Sequence, residues 1–162
     1  MKKSIFLMLL ILALLLTGCS HAKPGDDHFA FYYQAQNMKY DPDDSPFQAE
    51  YHHQDEFSTL DEALAAYFIG PDSTELIDPF PAGLTLISYR ESNGVLYLVL
   101  SDQFARLTGK DLTIACCCIA KTCLGMTEAH TVSISAENSL LDGEKNIVLN
   151  DKTMNLLDDS QH

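Results

Sequence analysis

The chain has 162 residues, with 23 acidic side chains against 10 basic ones and a formal charge of −13 at pH 7. That balance repels phosphate backbones and excludes nucleic acid as a partner. The length suits one domain with room for a proper core.

The first twenty residues, MKKSIFLMLLILALLLTGCS, place Lys2 and Lys3 before an apolar run from Ile5 to Leu16 and close on small residues. This is the order of an export signal, and the run is too short for a permanent membrane span. Its ending, Leu16-Thr17-Gly18-Cys19, resembles the lipobox of bacterial lipoproteins. The resemblance implies cleavage after Gly18 and acylation of Cys19, the expected lipidation site, on the outer side of the cell membrane. Two or three acyl chains hold a protein stably where one would not. The expected organisation is a signal peptide at 1–18, a lipidated N-terminus and tether at 19–28, one domain at 29–150 and an acidic tail at 151–162. Cleavage would remove two lysines and no acidic residue, leaving 8 basic against 23 acidic side chains, or −15.

Phe29 to Tyr33 is aromatic-rich and reads as a strand. The following YDPDDSP is a turn-rich connection, and FQAEYHH is a weaker strand or an extended approach to the first helix. Ser58 followed by Asp61 resembles a capping box, and Leu60, Ala63, Leu64 and Tyr67 then fall on one helical face. Gly70-Pro71 stops that helix. A loop pinned by Pro79 and Pro81 follows. Two β-rich runs, LTLISYRE and VLYLVLS, flank Asn93-Gly94, a strong hairpin signal. The spacing predicts a second helix over Leu112 to Gly125, then late strands in HTVSISAE and KNIVLN.

This ordered series resembles the GerMN domain of sporulation and germination proteins. The residues carrying it are Tyr32-Tyr33, Ala63-Leu64 with Gly70-Pro71, Pro81 through Ile87, Asn93-Gly94-Val95 through Ser101 to Phe104, and Val132-Ser133-Ile134. Asn93 stands where the family usually has Asp, Leu84 where Thr is usual, and Val99 where Asp is frequent. The resemblance implies an α+β fold, with two helices on one face of a small, mostly antiparallel sheet in the order β-α-β-β-α-β. It also implies a non-enzymatic envelope module working by contact with another, unidentified envelope protein. The alternative class is a lipoprotein that binds a small ligand or wall fragment.

Cys116, Cys117 and Cys118 run consecutively, with Cys123 five residues on. At about 100° per residue, Cys116 and Cys123 join the apolar stripe of the second helix, while Cys118 lands opposite with Ile114. Cys116 and Cys123 lie seven residues apart, about 10 Å along the axis, too far for a disulfide. Consecutive helical cysteines diverge instead of converging on zinc, so packing is the expected role and no cofactor or metal is expected. His52, His53, Asp55 and Glu56 are ligand-type side chains, but neighbouring residues on an extended segment point to opposite faces. They are read as a solvated approach to the first helix. Ala65, Ala66 and Ile69, with Ile114 and Cys118, form outward apolar faces. No nucleophile elbow, zinc-protease helix or phosphate loop occurs.

Overall fold

The structure, a computed structural model, describes residues 27–36 and 45–154. Among the described residues the elements follow in the order β1 (His28–Ala35), β2 (Phe47–His53), α1 (Leu60–Tyr67), β3 (Leu76–Ile77), β4 (Leu86–Ser92), β5 (Val95–Leu100), α2 (Gly109–Met126), β6 (Thr131–Ala136) and β7 (Ile147–Leu149). A 3-10 turn, Asp102–Arg106, leads from β5 towards α2. The class is α+β, as the sequence implies. The sheet is not single, however: one three-stranded sheet has the order β2-β1-β3 and a second has the order β4-β5-β6-β7.

FQAEYHH is a full strand, paired antiparallel with β1 from His28↔His53 to Gln34↔Phe47. In the second sheet β5 and β6 run parallel, which requires a crossover connection, and α2 supplies it. Asn93 and Gly94 both take positive φ, 54° and 72°, and Ser92 pairs with Val95 across them. That is the two-residue hairpin turn whose twist matches its strands.

Helix α1 begins one residue later than expected. Thr59 is the cap, accepting from the Glu62 N–H at 3.2 Å. Glu62 reaches back to the Ser58 N–H at 2.8 Å. The box is therefore Thr59–Glu62, and the carboxylate also suits the positive end of the helix. Ala63, Leu64 and Tyr67 are buried as the periodicity requires.

Helix α2 departs furthest from expectation. Every residue from Ile114 to Ala120 is buried, including Cys116, Cys117 and Cys118. The helix touches β1 of one sheet and β6 and β7 of the other, so it has no solvent face along its middle, and a helix apolar all round belongs in that position. The expectation that Cys118 and Ile114 face solvent is corrected: Cys118 is 0 % and Ile114 8 % exposed. For the same reason the helices do not share one face of one sheet. The fold also runs past residue 150, where Asn150 and Thr153 cap one another at 2.8 and 3.0 Å. The helical turn they start buries Met154.

Candidate functional site

The cysteine run is the most conspicuous chemistry in the sequence, and the structure buries it. Cys116, Cys118 and Cys123 carry free thiols. Burial pushes Cys116 and Cys123 up to about 12, and Cys118 also well above the usual thiol range. The nucleophilic form of cysteine is the thiolate, and burial disfavours it at these three positions. They act as small apolar packing residues, which the stripe argument anticipates for Cys116 and Cys123.

What helix α2 does hold is an edge. The Tyr32 N–H donates to Thr122 Oγ1 at 2.9 Å, and the Tyr32 carbonyl accepts from the Tyr67 hydroxyl at 2.6 Å. Those backbone groups point away from β2, to the side where β3 pairs only with Gln34 and Ala35. Two helical hydroxyls thus stand in for a missing strand. Thr122 is fully buried, and burial drives the Tyr67 phenol far above its ordinary range, so neither ionises there. Around them Tyr67 meets Phe31, Tyr33, Phe68 and Phe80 with ring centroids 4.9 to 5.5 Å apart. The sequence shows Thr122 only as a polar residue in an apolar helix; that mismatch is the signal that marks it.

The opposite situation holds at β4. This strand is the outer member of its sheet, and among the described residues no strand pairs with its outer side. Residues 87–91 are all exposed, including the apolar Ile87 at 45 % and Tyr89 at 40 %. Because Ser92 and Val95 close the hairpin, alternation directs the Arg90 backbone groups to β5 and those of Tyr89 and Glu91 outwards. Arg90 lies over the Tyr97 ring at 4.2 Å, bracing the strand on its neighbour.

An open groove of about 330 Å³ lies elsewhere, at the start of α1. Phe29, Phe57, Leu60 and Met126 form its apolar wall, and Gln54, Ser58 and Thr59 its polar rim.

The histidines divide as the pleat demands. His52 is not solvated as expected; its ring lies 4.4 Å from Phe31. Its Nδ1 is 3.0 Å from Glu56. Its Nε2 is 3.4 Å from a Glu50 oxygen but makes no hydrogen bond, so that contact is electrostatic with poor geometry. His53 faces the other way and is exposed, as are Asp55 and Glu56. Ala65 is exposed on α1 and Ile69 just beyond it, at 84 %, whereas Ala66, expected to face outwards with them, is half-buried against the core. Cys19 lies outside the described residues.

The tandem GerMN domains of the sporulation protein GerM from Bacillus subtilis superpose on this architecture with a TM-score of 0.54. The fold is GerMN-like. Identity is 19 %, over 79 % of this chain and 48 % of the tandem structure, so the chain spans about half the length of that protein. A candidate lipoprotein from Clostridium perfringens is less similar, with a TM-score of 0.45 and 14 % identity over 77 % of this chain and 87 % of that one. No family model and no curated protein matches the sequence. Among the described residues no helix is long and apolar enough to cross a membrane.

Proposed function

We propose that this GerMN-like domain is a non-enzymatic, membrane-anchored module of the bacterial envelope, working by protein–protein contact in sporulation, germination or a related assembly. The observation that carries the reading is β4, a strand with one side unpaired among the described residues and with exposed apolar residues. Unpaired strand edges are templates for another chain, and folds that do not use them blunt them. The partner is an envelope protein that adds an extended segment to this edge, its main chain supplying hydrogen bonds and its side chains meeting Ile87 and Tyr89. The process follows from the likeness to GerM, and the anchor from the lipobox-like Leu16 to Cys19.

The test is a photo-crosslinking residue at Tyr89, with a second at Asp55 as the control, in native membranes. The proposal expects one discrete adduct from Tyr89 and none from Asp55. Adducts from both positions, or from neither, contradict it.

A second reading has its own observation, the groove at the start of α1. Ligand sites usually bury most of their ligand in an enclosed, largely apolar cleft. This groove is open, so β4 is preferred. Saturable binding of a wall fragment, blocked by Phe57→Glu, would reverse that preference.

A further inference from the structure

The strand pairing brings together three side chains that are not adjacent in sequence. His28 opens β1 and His53 closes β2, and the register sets them directly opposite one another. Their rings lie 4.0 Å apart between centroids. Asp27, next to His28, has its Oδ1 2.8 Å from His28 Nδ1. One ligand atom from each of Asp27, His28 and His53 falls within 4.8 Å of the other two. The argument that dismisses His52-His53 as a ligand pair holds for that pair, since the two residues point to opposite faces. It does not reach His28, which arrives from the neighbouring strand on the same face as His53.

We propose that Asp27, His28 and His53 form a binding site for a divalent ion of the zinc class. Two imidazoles and a carboxylate suit zinc and its first-row neighbours, whereas calcium and magnesium take oxygen ligands. Three protein donors leave a fourth tetrahedral position for water. The donors are exposed or half-buried, so small rotations bring them to bonding distance without disturbing the core. The Asp27 carboxylate, the one anionic donor of the three, partly neutralises the ion. One histidine comes from each strand, so the bound ion would cross-link the ends of β1 and β2.

The experiment is calorimetric titration of Zn2+ into the full chain in detergent, with His28→Gln, His53→Gln, Asp27→Asn and His130→Gln alongside. The wild type is expected to bind one ion saturably and to melt at a higher temperature when loaded. Either histidine variant abolishes that binding. Asp27→Asn, which removes the anionic donor, weakens it, and His130→Gln leaves it unchanged. Because the signal must come from the site even if a variant folds badly, the imidazole resonances of the wild type are followed too: those of His28 and His53 shift first and together as Zn2+ is added. Absence of saturable binding overturns the proposal. So does undiminished binding in both histidine variants, or shifts confined to other histidines.

Discussion

The two sheets treat their exposed edges in opposite ways. Along β1, where pairing with β3 covers only two residues, the Tyr32 backbone is sealed by the Thr122 and Tyr67 hydroxyls, and α2 lies against the strand. Along β4 no strand among the described residues takes that place, although α1 touches it. The same short chain thus spends a buried threonine and a buried tyrosine closing one edge, and leaves apolar Ile87 and Tyr89 on the other. Buried polar groups must be paired, which explains the first arrangement. The second has no such explanation among the described residues, and the partner contact proposed above would supply one.

Four substitutions sharpen or break this contrast. Tyr67→Ala removes both a carbonyl's partner and the centre of the aromatic cluster, and should destabilise by about 3–5 kcal/mol. Thr122→Val keeps the shape but strands the Tyr32 N–H, for about 1–3 kcal/mol. If urea melts show Thr122→Val to be neutral, the edge is held by packing and not by its hydroxyl. Gly94→Val forces a β-branched residue to φ 72°, costing about 1–2 kcal/mol. The new side chain would also run into the His130 ring, so part of the loss should return in Gly94→Val with His130→Ala. Tyr89→Lys on the open edge should move the melting midpoint least, within about ±0.5 kcal/mol, yet abolish the membrane adduct. A large stability loss there would mean that β4 is part of the core.

The cysteine row carries a related test. Cys116, Cys118 and Cys123 should all resist a thiol reagent at pH 8 until denaturant is added, because burial disfavours their thiolates. Fast labelling of Cys118 in the folded chain would restore a solvent face to α2.

Local patterns in the sequence marked most of this architecture. Asn93-Gly94 dictates its turn, and Ala63, Leu64 and Tyr67 dictate the buried face of α1, because each signal lies within a few residues. What local pattern could not show was the second sheet. Helical periodicity assigns one buried stripe, which puts Cys118 on the outward side; only the arrival of β1 on that side buries it. The same limit hid His28 opposite His53, a pairing set by strand register across the YDPDDSP connection. The lipobox-like Cys19 is legible in sequence and lies outside the described residues.

Residue-resolved amide hydrogen exchange on the isolated protein tests the contrast between the edges most directly. Amides held in the packed core open only with large-scale unfolding, whereas unpaired edge amides exchange freely. The account predicts that the Tyr32 amide exchanges among the slowest of the chain, and that Tyr89 and Glu91 exchange among the fastest in any strand. Equal protection of Tyr32 and Tyr89, or slow exchange at both Tyr89 and Glu91, would contradict it.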